Sequence, residues 1–260
     1  MDIIVCIKRV PNTGQTTVHS QTSQLSAAGA QYILNPYDEY GVEQALQIKD
    51  KINARVTVLC LGPPEAETTI RDALSLGADA GILLCDPSFD GLDTYHTSFV
   101  LAKAIQKFGK AQLVICGNKA IDSDTWQVSP QLAAHLNWPQ ILFVKKITQV
   151  TEQGIEADRM TEEGYDKMQA TFPLLISVVK EIGEPRLASL KGKMNAKKVP
   201  VEKWDKTALG VSEADLNPKS FVQLPRYSLP ARRNSGKIFA GEAKQVVEEF
   251  LKAFREDKVL

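Results

Sequence analysis

The fold is decided by one stretch, which reads Leu113-Val114-Ile115-Cys116-Gly117-Asn118-Lys119-Ala120-Ile121-Asp122-Ser123-Asp124-Thr125-Trp126-Gln127-Val128. Its first four residues form an apolar run that predicts a buried strand, and Val128 to Leu136 predict a helix. A strand that opens through glycine into a polar loop and then a helix is how open parallel sheets bind phosphates. The same pattern also fits an ordinary strand–loop–helix connection, so both interpretations stay open at this point.

The loop between this strand and this helix has the features of an anion site. Gly117 would let a ligand approach the backbone. Asp124 or Thr125 is placed to cap the helix, and Gln127, three residues after Asp124, completes a capping-box pattern. Free N–H groups at that helix start would face an anion.

The same strand pattern occurs four times, and each apolar run ends in a cysteine. The runs cover residues 3–6, 56–60, 82–85 and 113–116, and they end at Cys6, Cys60, Cys85 and Cys116. Helical spacing of apolar residues follows over 37–49, 66–76, 97–108 and 131–136. This alternation predicts right-handed βαβ units and a doubly wound, mainly parallel α/β sheet. The cysteine spacing fits no zinc or iron–sulfur pattern, and buried structural thiols explain it better.

Ligands of such sheets lie outside the carboxyl ends of the strands, where loops 8–13, 62–64, 86–97 and 117–127 are expected. Lys8 is placed either to pair with a phosphate or to lie on the surface. Asn35 is a good N-cap, Pro36 fits the first helical position, and Asp38 falls in the first turn. These residues are a complete helix start without any ligand.

The chain changes character after Pro139. Strands are predicted over 141–150, 154–157 and 174–180, whereas 187 to about 206 is basic and poor in periodic signal. Pro218, Pro225 and Pro230 punctuate an extended stretch, and 242–255 forms an amphipathic helical pattern. We therefore expect an α/β domain over 1–186 and an arm over 187–260. The arm either folds back or packs on another chain, and we favour the second.

Composition excludes several classes of protein. The 260 residues are 43% hydrophobic, and 31 basic residues balance 31 acidic ones, so neither a nucleic-acid partner nor an anionic membrane is expected. No run is long enough to insert into a membrane, and a strand begins almost at once without a signal peptide, which favours a cytoplasmic protein. The dinucleotide-binding Gly-x-Gly-x-x-Gly and P-loop patterns are both missing from the sequence. His19, His96 and His135 lack a catalytic setting, and capping explains Asp122 and Asp124 more simply than a metal does.

The string from Gly117 to Val128, followed by Leu136, Trp138, Pro139 and Gln140, closely resembles the nucleotide-binding loop of the electron-transfer flavoprotein beta subunit. A second segment is similar to a further signature of that family, through Arg159, Glu162, Gly164, Pro173, Leu175, Ile176 and Ser177, although Glu163, Asp166 and Met168 depart from it. Glu184 to Lys198 resemble the family's recognition loop. The resemblance implies that Leu190 docks into an acyl-CoA dehydrogenase, with Lys191, Lys193, Lys197 and Lys198 facing an acidic rim.

The resemblance implies a flavodoxin-like core in a heterodimer with an alpha subunit that holds most of an electron-transferring FAD. The beta chain would add its own adenine-nucleotide site, carry electrons between dehydrogenases and a downstream acceptor, and contribute no catalytic or metal-binding residue. The implied cofactor-binding residues are Cys6, Lys8, Asn35, Pro36, Tyr37, Asp38, Leu61, Thr94, Thr97, Gly117, Asn118, Lys119, Ala120, Ile121, Asp122, Ser123, Asp124, Thr125, Trp126, Gln127 and Val128.

Two segments resemble the NADH-linked, electron-bifurcating subgroup. They are Pro11-Asn12-Thr13 and Asp93-Thr94-Tyr95-His96-Thr97-Ser98. Hydroxyl groups of the second segment could hold a pyrophosphate at a helix start, although an N-cap cluster explains them equally well. This likeness favours a second FAD in the beta subunit, reduced by NADH and linked to ferredoxin or flavodoxin. AMP in the same site, in a carrier that does not bifurcate, is the alternative.

Two functions of other classes compete with this interpretation. A self-sufficient adenylating or ATP-cleaving enzyme would need a loop rich in serine and glycine after the first strand, and residues 8–13 lack that composition. An AMP-binding sensor would not need the long arm after Leu187.

Overall fold

The computed structural model describes residues 1–18, 25–217, 221–222, 228 and 236–257. The expectations for His19, Pro218, Pro225 and Pro230 fall outside these residues. The chain forms two compact units, one of 1–17 with 25–225 and the other of 18–24 with 226–260. The first contains the sheet and the candidate site.

The elements follow the predicted alternation of strands and helices. The strands are β1 (Asp2–Ile7), β2 (Arg9–Pro11), β3 (Thr17–Val18), β4 (Leu25–Ser26), β5 (Tyr32–Leu34), β6 (Arg55–Leu61), β7 (Ala80–Leu84), β8 (Leu113–Gly117), β9 (Gln140–Val150), β10 (Gly154–Met160), β11 (Tyr165–Thr171), β12 (Leu174–Val178) and β13 (Val201–Trp204). The α-helices are α1 (Pro36–Ile52), α2 (Glu67–Leu76), α3 (Thr94–Phe108), α4 (Val128–Leu136), α5 (Leu190–Ala196), α6 (Lys206–Leu209) and α7 (Ala243–Glu256).

One nine-stranded sheet organises the larger unit, with the strand order β11-β10-β9-β12-β8-β1-β6-β7-β13. Every neighbouring pair from β9 to β13 in this order is parallel, and β10 pairs antiparallel with β9 and β11. The predicted doubly wound, mainly parallel α/β sheet is therefore confirmed. In β1 and β8, Cys6 lies directly opposite Cys116, which brings the predicted strand ends to one edge.

Each face of the sheet buries its own apolar cluster. Ile3 and Val5 of β1 belong to the cluster that includes α1 and α2. Ile4 and Cys6 belong to the cluster that includes α3 and α4. Because successive side chains of a strand point to opposite faces, this alternation gives three layers, with helices on both sides. The loops at the carboxyl ends of the strands are thus held by helices on both faces.

Part of the predicted arm belongs to the larger unit. Strand β13 extends the sheet by pairing with β7, and α5 packs on α2. Strand β11 was also not predicted, because its polar side chains are mostly exposed. The proposed division of roles between 1–186 and 187–260 stays a prediction.

Helix α7, in the smaller unit, matches the helix predicted over 242–255. Its apolar residues Val247, Phe250 and Leu251 are exposed, and Phe250 contacts Phe239 with ring centroids 5.9 Å apart. The amphipathic helix predicted for this segment is therefore confirmed.

Among the residues that the structure describes, no helix combines the length and the apolar character needed to cross a membrane.

Candidate functional site

A cleft of about 610 Å³ opens at the carboxyl ends of the parallel strands. The first residues of α1, α3 and α4 line it together with the ends of β1, β6 and β8. Of the predicted cofactor-binding residues, those that line the cleft are Cys6, Lys8, Asn35, Asp38, Leu61, Thr94, Thr97, Gly117, Asn118, Lys119, Ala120, Ser123, Thr125, Trp126, Gln127 and Val128. The structure thus brings residues from five separate segments of the chain to one place, and their binding of a cofactor stays a prediction.

The remaining predicted residues support the cleft wall instead of lining it. They are Pro36, Tyr37, Ile121, Asp122 and Asp124. Pro36 occupies the first turn of α1, and the backbone N–H of Ile121 donates to Asn35. The other three contact the two lysines of the site, as described below.

Asn35 fixes the loop between β8 and α4, which we call the nucleotide loop (residues 117–128). Its side chain is fully buried. Its Nδ2 donates to the carbonyl of Lys119 at 2.8 Å, and its Oδ1 accepts from the N–H of Ile121 at 3.2 Å. Asn35 occupies the predicted N-cap position of α1, but its side chain makes no capping hydrogen bond to that helix. The side-chain amide therefore both donates to the loop and accepts from it, and these two hydrogen bonds position the cleft wall.

Gly117 has a packing role in addition to the predicted approach of a ligand to its backbone, which stays a prediction. A Cβ at this position would lie 2.4 Å from Oδ1 of Asp38 and 2.7 Å from the carbonyl carbon of Tyr37. The missing side chain therefore makes room for the start of α1 against the end of β8. Glycine here serves the close packing of helix on strand.

Asp38 is a buried carboxyl at the base of the cleft. Its Oδ2 accepts from the backbone N–H of Lys8 at 2.7 Å. Burial raises the pKa of Asp38 to about 7, although the N–H and the charge of Lys8 act in the opposite direction. The group therefore changes charge near neutral pH, directly beside any anion that enters the cleft.

The titration of Asp38 predicts how stability depends on pH. Between its usual value of 3.8 and about 7, the folded protein keeps a proton that the unfolded chain has lost. The free energy of unfolding should therefore fall as pH rises through this window. Asp38→Asn removes the effect, so its stability relative to wild type should grow by about 1 kcal/mol per pH unit from pH 5 to pH 7. Urea unfolding of both proteins across this range measures the difference.

Asp86 provides the control for this experiment. Burial alone would raise the pKa of Asp86. Hydrogen bonds from Ser88 and Lys206 outweigh burial and keep this pKa below its usual value. The stability difference between Asp86→Asn and wild type should accordingly stay flat from pH 5 to pH 8. An equally flat curve for Asp38→Asn would show that Asp38 is already ionised at pH 5.

Both lysines of the site are paired with aspartates of the nucleotide loop. Lys8 Nζ contacts the two carboxylate oxygens of Asp122 at 2.9 and 2.8 Å, and Lys119 Nζ lies 2.7 Å from Asp124 Oδ1. Lys119 also lies 5.2 Å from the ring centroid of Tyr37 and 4.7 Å from that of Trp126. The hydrogen bond that Lys119 donates to Asp124 raises the pKa of Lys119. These contacts balance the charge of the loop and hold its shape.

The predicted capping box at the start of α4 is wrong. The helix begins at Val128, its N-cap position is Gln127, and no side chain caps it. The carboxylate of Asp124 is engaged by Lys119 instead, and Gln127 Oε1 accepts from the hydroxyl of Thr94 at 2.8 Å. The first turn of α4 is thus left without a side-chain cap, facing the cleft.

Asn118 carries an acceptor that lacks a protein partner. The residue is 6% exposed and lines the cleft, and its Oδ1 is buried without a hydrogen bond. A buried unpaired amide oxygen costs about 1–3 kcal/mol, so such atoms usually mark a ligand, water or ion. A ligand with an N–H or O–H donor, such as an adenine or a ribose, fits this position.

The nucleotide loop contains unusual backbone conformations. Asp124 and Trp126 have φ of 50° and 61°, and Phe143, whose ring centroid lies 5.7 Å from that of Trp126, has φ of 60°. Non-glycine residues with positive φ cost about 1–3 kcal/mol each and cluster at ligand clamps. The strain is held by the contacts of Lys119 and Asn35 described above.

Sequence reasoning missed several lining residues, which are Ile7, Phe89, Gly91, Leu92, Asp93, Leu101, Cys116, Ser129 and Val222. Phe89 to Asp93 lie in the predicted loop 86–97 and could have been found by position. Asp93 caps α3 by accepting from the N–H of His96 at 2.9 Å, as the N-cap interpretation proposed, and it also accepts from the N–H of Phe221 at 2.7 Å. No local signal indicated that 221–222 return to the cleft.

Cys6, which lines the cleft, and Cys60, which does not, are both buried thiols. A hydrogen bond with Cys116, together with burial, raises the pKa of Cys6, and burial raises the pKa of Cys60 to about 12. A thiol with a raised pKa is a poor nucleophile. Within the described residues there is also no cluster of histidine, cysteine and carboxylate side chains able to hold a metal ion.

Leu190, the predicted docking residue, lies far from this chemistry at the first position of α5. Its side chain is 79% exposed. Lys191, Lys193, Lys197 and Lys198 are exposed around it. The predicted arrangement of an exposed leucine among lysines is therefore present, and its docking stays a prediction.

A mainly parallel sheet with helices on both faces and a cleft at the carboxyl ends of its strands defines the doubly wound class of α/β proteins. Within that class, the chain belongs to the electron transfer flavoprotein family, since the family model "Electron transfer flavoprotein domain" matches residues 22–209.

Curated relatives agree with this assignment. The chain is 36% identical over 263 residues to the electron transfer flavoprotein subunit beta of Thermoanaerobacterium thermosaccharolyticum, covering 100% of both chains. It is 34% identical over 263 residues to the caffeyl-CoA reductase-Etf complex subunit CarD of Acetobacterium woodii, again covering 100% of both. It is 39% identical over 219 residues to the protein FixA of Sinorhizobium fredii, covering 82% of this chain and 77% of that protein. The resemblance to beta subunits noted from the sequence is thus confirmed.

Proposed function

We propose that this beta-type subunit pairs with an electron-transfer flavoprotein alpha subunit and binds an adenine nucleotide in the cleft. The observation that carries the proposal is the buried, unpaired Oδ1 of Asn118, which lines a cleft whose loop Asn35 holds in place. Such a cleft combines an unmet acceptor with three helix starts, which favour phosphate. The partner supplies the rest of an electron carrier that accepts electrons from dehydrogenases of the acyl-CoA type.

The nucleotide we favour is FAD. Apart from the nucleotide loop, the residues that line the cleft include the apolar Phe89, Leu92, Leu101 and Val222. AMP has a single planar ring system, whereas FAD has a second one that could cover these apolar side chains. The similarity to CarD, a subunit of the caffeyl-CoA reductase-Etf complex, also supports this choice. AMP in a carrier that does not bifurcate is the second candidate.

The residues of the chain bind and orient the nucleotide. Asn35 keeps the loop in place, Asn118 accepts a hydrogen bond, and the starts of α3 and α4 face the phosphates. The protonation state of Asp38 sets the local charge. A FAD bound here would supply the redox chemistry, because a flavin can accept a hydride from NADH and pass on single electrons. The acceptors would be the alpha subunit's flavin and a low-potential acceptor such as ferredoxin or flavodoxin.

Counting released nucleotides tests this proposal. We expect a heterodimer made by co-expression with the alpha subunit to release two FAD molecules and no AMP on denaturation. Release of one FAD and one AMP would refute the proposal of a second FAD and of electron bifurcation, but it would leave the proposed carrier function standing. A single FAD with no other adenine compound would contradict the nucleotide site itself. Turnover of ATP by the purified chain would instead favour the adenylating enzyme.

A further inference from the structure

The segment that contains Leu190 shows large apolar side chains to solvent. We call residues 186–198 the docking segment. Leu187 is 94% exposed, Leu190 is 79% exposed and Met194 is 58% exposed. Clustered exposed apolar side chains of this size mark protein interaction sites. The segment is also well anchored, which distinguishes it from a loose loop.

Arg186 anchors the beginning of the docking segment to α1. Its backbone N–H and its Nε donate to Glu43 Oε2 at 3.0 and 2.8 Å. Its Nη2 donates to Glu43 Oε1 at 3.2 Å and to Asp50 at 2.9 Å. The carboxylate of Glu43 is 6% exposed. Burial alone would raise its pKa, but the hydrogen bonds from Arg186 and Gln47 outweigh burial and lower it.

Two further contacts hold the middle and the end of the segment on α2. Ser189 caps α5 by accepting from the N–H of Gly192. A Cβ on Gly192 would lie 2.2 Å from the carbonyl oxygen of Ser75, so the helix is seated closely on α2. Arg71 Nη1 then donates to the carbonyls of Ala196 and Val199 at 2.6 and 3.2 Å.

We propose that Arg186 and Arg71 are positioning residues that hold the docking segment rigid on α1 and α2, so that its three apolar side chains are ordered before a partner binds. Ordering interface side chains and loops in advance lowers the entropy cost of association. The occupant is the one that the family resemblance implies, an acyl-CoA dehydrogenase surface with an apolar pocket and an acidic rim. Lys191, Lys193, Lys197 and Lys198 form no ion pair among the described residues, and such lysines complement carboxylates. This inference rests on the proposed carrier function.

Amide hydrogen exchange of the heterodimer tests the positioning role without needing a partner. Arg186→Gln should speed exchange across the docking segment by about tenfold, because it removes charge-assisted hydrogen bonds from a buried carboxylate. Peptides of the nucleotide loop should stay unchanged. Lys49→Gln is the control, since it removes another ion pair of α1, with Asp79 at 2.6 Å, that involves no residue of the segment. Unchanged exchange in Arg186→Gln, or an equal rise in Lys49→Gln, would overturn the proposal.

Arg186→Lys replaces Arg186→Gln in the exchange experiment if the glutamine variant does not form the heterodimer. It keeps the charge but not the planar fork that reaches both Glu43 and Asp50, so a smaller rise in the same peptides is expected. No rise in these peptides would again count against the proposal. Arg71→Gln should raise exchange only near Ala196, at the other end of the segment.

Electron transfer from a short-chain acyl-CoA dehydrogenase, reduced with butyryl-CoA, separates positioning from docking. Arg186→Gln and Leu190→Ala should each raise the KM for the heterodimer by about tenfold with kcat unchanged, since both lose binding that precedes the transfer. If Leu190→Ala leaves KM unchanged, the docking function fails, and the exchange data alone decide the role of Arg186. If Leu190→Ala raises KM and Arg186→Gln does not, docking stands and the positioning role is refuted.

Discussion

Replacing Gly117 with alanine should destabilise the protein by about 1–3 kcal/mol and empty the cleft, because a larger side chain here overpacks a closed contact. The new Cβ would meet Asp38 Oδ1 at 2.4 Å and the backbone of Tyr37 at 2.7 and 2.9 Å. The first turn of α1 must therefore move away from β8. That movement displaces Asn35, which holds the nucleotide loop. Urea unfolding and the adenine content of the purified heterodimer measure the two effects.

Gly41→Ala is the matched control, since Gly41 also lies in α1 against the sheet. Its Cβ would make ordinary contacts, at 3.4 Å from Ile115 and 3.5 Å from Val5. Alanine is favoured over glycine inside a helix by about 0.5–1 kcal/mol. This variant should keep its nucleotide and be as stable as wild type or slightly more. Full nucleotide content in Gly117→Ala would refute the structural role assigned to the glycine.

Asn35→Ala should reduce nucleotide content at least as strongly. It removes the hydrogen bonds to Lys119 and Ile121 and leaves a carbonyl and an N–H without partners. Losing both should cost about 2–4 kcal/mol, or open the loop to water. The ratio of adenine compound to heterodimer after gel filtration should fall by more than about tenfold.

Two variants sharpen the test of Asn35. Asn35→Asp keeps the acceptor for Ile121 and loses the donor to Lys119, so its nucleotide content should be intermediate. Asn12→Ala removes a side-chain hydrogen bond to the exposed N–H of Gly14, outside the nucleotide loop, and should retain the nucleotide. Wild-type content in Asn35→Ala would mean that the loop keeps its shape without this amide.

The central sheet could be predicted because its pattern is local. Apolar runs that end at Cys6, Cys60 and Cys116 fall in β1, β6 and β8, and helices with apolar spacing follow them. Strand β13 could not be found in this way. Its four residues are partly exposed at the sheet edge, and only the pairing with β7 makes them a strand.

The site was predicted in position but not in detail, because its hydrogen bonds join residues far apart in sequence. Asn35 looked like a local cap, yet its partners are 84 and 86 residues away. Asp124 also looked like a cap, but the ion pair with Lys119 is the stronger interaction for a carboxylate. Local motifs describe what a side chain can do, whereas tertiary contacts decide which option it takes.

Helix α1 supports both functional surfaces. Its first turn meets the nucleotide loop through Asn35 and Asp38, and Glu43 and Asp50 hold Arg186 at the start of the docking segment. This arrangement explains why a substitution at the start of α1 should empty the cleft, whereas one at Arg186 should weaken partner binding alone.

A crystal structure of the heterodimer with its natural cofactors tests the account most directly. We expect electron density for an adenine nucleotide against the nucleotide loop, with a donor of that nucleotide within about 3 Å of Asn118 Oδ1. A cleft that holds only water, with every adenine compound bound elsewhere in the heterodimer, would contradict the account.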